Sequence, residues 1–373
     1  MSPTLVILLV ASFVAASCAL VGSFLVLRKM ALLGDAISHA VLPGIAIAFL
    51  LTGTRATLPM MLGAGALGVI TVLLVELFNR SRRLREDASI GVVFPALFSL
   101  GVILISRYAA QVDLDLDCVL YGEIAYAPWD TLTIGGTDLG PKALWVTGGV
   151  LLVNAVWILL CYKELKLSTF DAGLASALGF SPVLLHYILM SAVSVTVVGS
   201  FESVGAILVV AMLVVPPATA YLLTERLGTM LALSVALGVT SALGGYGLAR
   251  AWDASIAGAM ATVAGLQFLA ALLFSPGHGL LARLLILQRM GTRLSGQLVL
   301  LHLQKDEDHV VPLALLERRF GWSPLKLRRV LARLLREGLV EHQRDGLHLT
   351  DRGARVLETT GRIELAHRLP TPG

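Results

Sequence analysis

Long apolar runs broken by short charged clusters set the rhythm of this chain as far as about Phe274. Runs near residues 4–27, 35–53, 58–78, 90–106, 144–162, 183–200, 204–223, 229–250 and 254–274 each match the roughly 20 apolar residues that a helix needs to cross a bilayer core. The pattern predicts about nine spanning helices, with the pair around Glu202 the least sharply separated. Glycine and alanine are dense inside the runs, as in Gly63-Ala64-Gly65-Ala66 and Gly244-Gly245. Small residues of this kind let helices approach closely where lipid supplies no hydrophobic drive.

From about Ala282 the period changes to that of soluble amphipathic helices. Leu298, Leu301, Leu315 and Leu316 precede a helix that Ser323 caps, Pro324 opens and Gly338 closes. Leu339 to Thr350 then reads as a hairpin turning at Asp345-Gly346. Helices followed by a β-wing predict a winged helix. The expected fold is therefore an all-α polytopic membrane protein with a small cytosolic winged-helix α+β domain. Its expected parts are a transmembrane domain over 1–278, a linker over 279–293 and the winged helix over 294–373.

Composition agrees with this division. Of 373 residues, 56% are hydrophobic and 14% charged, whereas a soluble domain has roughly 45–50% and 25%. The net charge of +4 hides a split. Arg28/Lys29, Arg80 to Arg85, Lys163/Lys166 and Arg226 fall on one side of the predicted spans, and Arg55, Arg107, Lys142 and Arg250 on the other. The first set marks the cytosol, which puts the N-terminus outside and the C-terminus inside. Cys18, Cys118 and Cys161 form no CxxC pair and predict neither a disulfide framework nor a zinc knuckle. The first run lacks a basic n-region, so it reads as a retained helix. Between Arg107 and Ala143 an acidic connection, with Asp113, Asp115 and Asp117, reads as a solvated loop.

One stretch carries chemistry: Arg28-Lys-Met-Ala-Leu-Leu-Gly-Asp-Ala-Ile-Ser-His-Ala-Val-Leu-Pro-Gly44. Arg28 and Lys29 mark the cytosolic edge, and Asp35 and His39 follow roughly 10–16 Å deeper, near mid-bilayer. Their i, i+4 spacing puts both on one helical face. An ionised aspartate at that depth costs about 2.5–3.5 kcal/mol, so it needs a partner or a task. Pro43 removes the hydrogen bond to the His39 carbonyl and should bend the helix, aided by Gly44. Carboxylate, imidazole and a freed carbonyl make a mixed oxygen and nitrogen site suited to Mn²⁺, Fe²⁺ or Zn²⁺. The structural alternative is an Asp–His hydrogen bond that only packs the bundle.

This segment resembles the signature of the zinc/manganese/iron permease family of ABC importers, a basic edge followed by Gly-Asp-Ala-x-Ser-His-x-x-x-Pro-Gly. Glu86-Asp-Ala-Ser-Ile-Gly91 and the glycine-to-proline helix Val204 to Ala220, with Pro216 and Pro217 as a second helix break, are similar to further family segments. The resemblance implies the type II importer fold, with Asp35 and His39 binding the transported ion in the pore. It implies no permanent cofactor, only transported Mn²⁺, Fe²⁺ or Zn²⁺. Glu202 is an additional, weaker candidate ligand. The chain has no G-x-x-x-x-G-K-[ST] loop, so it is not expected to be an enzyme and an active importer needs a separate ATPase subunit. Ser168 to Pro182 reads as a short cytosolic helix capped by Ser168 or Thr169 and ended by Gly179 and Pro182. Phe170, Leu174 and Leu178 share its apolar face, Asp171 lies beside them, and the resemblance places the family's coupling helix here. An interfacial helix lying on lipid is the alternative.

The other implied partners are a metal-binding lipoprotein or periplasmic protein and a second permease chain, identical or paralogous, in a bacterial inner membrane. The tail resembles the DNA-binding domain of iron-dependent-repressor metalloregulators, including Leu-Thr-x-x-Gly at Leu349 to Gly353. Lys326, Arg328, Arg329, Arg333 and Arg336 make its main helix basic, a face for an anionic partner such as nucleic acid, anionic lipid or the ATPase. A regulatory or assembly role is preferred to DNA readout, which tethering makes awkward. Asp306 to His309 reads as an exposed acidic loop rather than a metal sensor. An ion-coupled secondary carrier and a membrane-tethered metal-responsive regulator stay open as alternatives.

Overall fold

The computed structural model describes residues 2–40, 42–53, 57–80, 86–108, 124–134, 137–275, 279–305, 310–311, 316, 321–322, 324–343 and 346–357. The chain divides into two compact units, Met1–Gly279 and Leu280–Gly373.

In the first unit, nine helices among the described residues are long and apolar enough to cross a membrane. α1 (Pro3–Leu27) is the central one. It packs on α6 (Lys142–Leu160), α9 (Pro182–Val204), α10 (Ala206–Leu223) and α11 (Leu227–Trp252). α12 (Ile256–Phe274) closes that group against α10 and α11. A second group holds α2 (Leu32–Ala40) and α3 (Leu42–Thr52), which together make one of the nine spans, with α4 (Thr57–Arg80) and α5 (Glu86–Tyr108). α9 bridges the groups by touching α1, α2 and α4.

Polar side chains knit these helices inside an apolar core. The Asn154 amide donates to Ser17 Oγ at 2.8 Å and to Thr196 Oγ1 at 2.6 Å, joining α6, α1 and α9. Ser23 Oγ donates to Ser234 Oγ at 3.1 Å, joining α1 to α11. Such groups must find partners within the protein, because hydrocarbon offers none.

Two connections differ from the sequence expectation. The segment read as a solvated loop contains a short 3₁₀ turn, Ile124–Tyr126, and an antiparallel hairpin of β1 (Thr131–Ile134) and β2 (Thr137–Pro141). Alternating Thr131-Leu-Thr-Ile134 before Gly135-Gly136 favours strand over coil. Asp113, Asp115 and Asp117 lie outside the described residues. The proposed coupling segment is two helices, α7 (Tyr162–Phe170) and α8 (Ala172–Ala177), and Ser168 and Thr169 belong to the first. Ser168 Oγ donates back to the Leu165 carbonyl at 3.2 Å, and Asp171 caps α8 instead by accepting from the Leu174 amide at 2.9 Å.

The second unit begins with α13 (Leu280–Lys305), so the segment read as a linker is helical. α14 (Pro324–Arg336) follows, and β3 (Val310–Val311), β4 (Val340–Gln343) and β5 (Gly346–Leu349) form an antiparallel sheet in the order β3-β5-β4. α14 buries Leu327, Val330, Leu331 and Leu334 together with Val299 and Leu303 of α13 and Leu347 of β5. Thr350 Oγ1 donates to the Gly338 carbonyl at 2.8 Å and accepts from the Gly353 amide at 3.2 Å, opening a helix over 351–357. Ser323, Asp345 and Asp306 to His309 lie outside the described residues.

Candidate functional site

α2 is mostly buried. Leu33, Gly34, Ala36, Ile37, Ser38 and Ala40 face the packed interior, while Leu32 is exposed and Asp35 half-buried. Leu32 and Asp35 lie three residues apart on one stripe. The stripe that carries Asp35 is thus the least covered face of the helix. Asp35 has an interaction partner of its own. The backbone of His39 sits one turn further along α2, and the side chains of His39 and Glu202 lie outside the described ones. Among the described residues no group of three or more His, Cys, Asp or Glu gathers to hold a metal ion.

The start of α3 is held by missing side chains. A Cβ at Gly101 of α5 would lie 2.7 Å from Pro43 Cδ and 2.8 Å from Pro43 N. A Cβ at Gly63 of α4 would lie 2.6 Å from the Gly44 carbonyl oxygen, and one at Gly44 would strike the Gly63 carbonyl in turn. α3 therefore lies backbone to backbone on α4, with Pro43 seated on bare α5 backbone. The sequence pattern marks Pro43, Gly44 and, within a small-residue run, Gly63, but not Gly101.

A proline pair sits close by in space. Pro216 and Pro217 lie inside α10, both buried. Lacking N–H groups, they leave the carbonyls of Met212 and Leu213 without their helical donors. The Leu213 carbonyl lies against Gly22 of α1, and its side chain lies against Gly34 of α2, in both cases where a Cβ would collide. Leu213 thus links the proline pair to the residue next to Asp35.

The segment of α7 and α8 presents apolar residues outward. Phe170 is 62% exposed, Leu174 47% and Leu178 61%. Gly179 (φ +88°) ends α8 in the left-handed region. Its amide bonds the Ser176 carbonyl at 3.1 Å and the Phe180 amide bonds that of Ala175 at 3.0 Å, a Schellman closure. In α14 of the second unit, Lys326, Arg328, Arg329 and Arg336 are exposed and Arg333 is half-buried. Three are already engaged: Lys326 Nζ stands 4.7 Å over the Trp322 ring, Arg333 pairs with Glu337 at 2.7 Å, and Arg336 Nε donates to the Ala332 carbonyl at 3.3 Å.

Known proteins share this architecture. The manganese transport system membrane protein MntD of Bacillus subtilis (strain 168) is 52% identical over 270 residues, 72% of this chain and 91% of that protein. The zinc transport system membrane protein TroD of Treponema pallidum (strain Nichols) is 42% identical over 360 residues, 95% and 98% of the two chains, so that likeness reaches into the tail. The solved structure of PsaBC from Streptococcus pneumoniae in complex with Fab matches with a TM-score of 0.64 at 30% identity, covering 77% of this chain and 96% of that one. The sequence model of the ABC 3 transport family matches residues 3–275, the span that holds all nine candidate membrane helices, and the chain belongs to that family.

Proposed function

We propose that this chain is the permease subunit of an ATP-driven importer for a divalent transition-metal ion of the Mn²⁺, Fe²⁺ or Zn²⁺ class. The observation that carries the site is the stripe on α2, where the half-buried Asp35 lies on the least covered face of a buried helix. An intramembrane carboxylate kept on such a face serves an ion or a partner chain. Asp35 supplies oxygen and His39, one turn on, imidazole nitrogen. This pair suits a first-row divalent ion better than Mg²⁺ or Ca²⁺. Manganese and zinc in the names of the relatives, and the family match, support the same class. Two permease chains would face their Asp35 stripes across one pathway, with Pro43, Pro216 and Pro217 shaping the helix breaks and Glu202 a weaker ligand.

The chain is a transport subunit and performs no hydrolysis itself. A separate ATPase subunit binds the exposed Phe170, Leu174 and Leu178, with Asp171 and Gly179 framing α8. A metal-binding lipoprotein or periplasmic protein delivers the ion from outside. The protein lies in a bacterial inner membrane with its N-terminus outside, and the second unit is a cytosolic winged helix with a regulatory or assembly role.

The test is uptake of radioactive manganese, zinc and iron in cells that make the ATPase together with wild-type, Asp35→Asn or His39→Ala permease. Removing a group that hydrogen-bonds a metal ligand typically costs about 10–100-fold, and losing a ligand itself should cost at least as much. Wild-type uptake of all three ions by both variants would remove the site assignment. Uptake that persists without the ATPase and collapses with the proton gradient would favour an ion-coupled carrier.

A further inference from the structure

Arg28 ends α1 and turns its guanidinium into the protein, while Lys29 beside it is exposed. Its Nη2 donates to Ser168 Oγ at 3.0 Å and its Nε to Thr169 Oγ1 at 3.3 Å, both at the end of α7. Its Nη1 meets His186 Nδ1 of α9 at 3.3 Å. The Ser168 hydroxyl spends its hydrogen on the Leu165 carbonyl, so a lone pair faces Arg28. A guanidinium cannot accept, so His186 Nδ1 must. The imidazole is therefore held as the Nε2–H tautomer, and Nε2 faces the Glu76 carboxylate of α4 at 4.0 Å. One side chain thus joins α1 to α7 and α9 directly, and to α4 through an imidazole.

The chain on the far side of Arg28 is tightly wound. Lys29 adopts φ +63°, uncommon for a residue with a side chain. The Met30 amide bonds back to the Leu25 carbonyl at 2.9 Å, and Leu33 bonds Met30 at 3.1 Å, so α2 starts at once. Asp35 follows seven residues after Arg28, with only the turn over 28–31 between the two helices. Burial pulls the Arg28 guanidinium below its ordinary value, a cost that a residue marking only the membrane edge would avoid by facing water.

Resting on the transport reading above, we infer that Arg28 is a positioning residue that ties the ATPase-docking helices α7 and α8 to the ligand helix α2. A displacement of α7 would pull the α1–α2 corner through the guanidinium and so move Asp35. The planar fork suits this task, because it grips two hydroxyls and an imidazole at once where a lysine ammonium acts as a point charge.

The test uses the full complex with its ATPase in vesicles, where ATP hydrolysis and metal uptake are read together and metal affinity is read without ATP. Arg28→Gln should keep assembly and metal affinity yet lower metal imported per ATP by about tenfold, the equivalent of one lost charge-assisted hydrogen bond. Arg28→Lys should fall between. The double variant Ser168→Ala with Thr169→Val removes the same grip from the other side, and it carries the test if Arg28→Gln does not assemble. An unchanged ratio in the assembled variants overturns the inference, as does a parallel loss of uptake and affinity, the mark of a merely structural residue. A wild-type complex that imports none of the three ions would instead overturn the transport reading beneath it.

Discussion

Pro43 rests on Gly101: a Cβ on that glycine would stand 2.7 Å from the proline's Cδ, well inside contact distance. The seating of Pro43 thus depends on a residue of α5 as well as on the proline. Overpacking a tight site costs about 1–3 kcal/mol, and here the neighbour is a ring fixed to backbone that cannot rotate away. Gly101→Ala should lower the melting temperature of the detergent-solubilised protein and reduce metal uptake several-fold. Equal melting and uptake in variant and wild type would mean that Pro43 is not seated on α5.

Gly22 makes a closer approach, because the Leu213 carbonyl oxygen occupies the place its side chain would need. That carbonyl is the one Pro217 deprives of a helical donor, so bare α1 backbone lies against a weakened point in α10. Gly22→Val should prevent stable insertion or lower the melting temperature more than Gly101→Ala does. Gly247 in α11 is the control, since open space surrounds its missing side chain. Gly247→Ala should be neutral or stabilise by up to about 1 kcal/mol through helix propensity. Comparable melts for the Gly22 and Gly247 variants would contradict this account.

The contrast between these glycines shows where sequence reading stops. Asp35 stood out because a carboxylate inside an apolar run is rare enough to signal itself. Pro43 did so because its effect on its own helix is local. Gly101, Gly63 and Gly22 owe their importance to residues far along the chain, and no periodicity encodes which glycine meets a backbone and which meets space. Arg28 read as a membrane-edge charge because loop counting registers a charge and not its partners. The cap of α8 was misread for a subtler reason: Ser168, Thr169 and Asp171 can all cap, and the choice fell to Asp171 once the Ser168 hydroxyl had turned to the Leu165 carbonyl.

The exposed apolar side of α8 makes a prediction that separates docking from folding. Leu174 and Leu178 contribute little to the core of this chain, so charging them should leave its melt unchanged. Leu174→Glu and Leu178→Glu should nonetheless abolish co-purification of the ATPase subunit. Asp171→Ala should act more mildly, since an N-cap is worth about 1 kcal/mol and the Gly179 closure still ends the helix. Retained co-purification of the ATPase with either glutamate variant would move the docking surface elsewhere and leave α7 and α8 as helices lying on lipid.

The basic helix of the tail divides cleanly into residues that hold the unit and residues offered outward. Leu327 and Leu334 are buried in α14, whereas Arg328 and Arg329 beside them are exposed. Truncating a buried leucine costs about 2–5 kcal/mol, a large fraction of what so small a unit has to lose. Leu327→Ala or Leu334→Ala in the full-length protein should therefore speed proteolytic cutting within 280–373 by at least an order of magnitude. A protease-resistant fragment spanning the first unit should survive in both. Arg328→Glu with Arg329→Glu should leave the cutting rate near wild type, because exposed charges shift stability by only about 0.5 kcal/mol. If that pair of charges nevertheless alters metal uptake, the face serves an anionic partner and its effect does not pass through folding. If the leucine variants are cut no faster than wild type, α14 is not packed as these burials require.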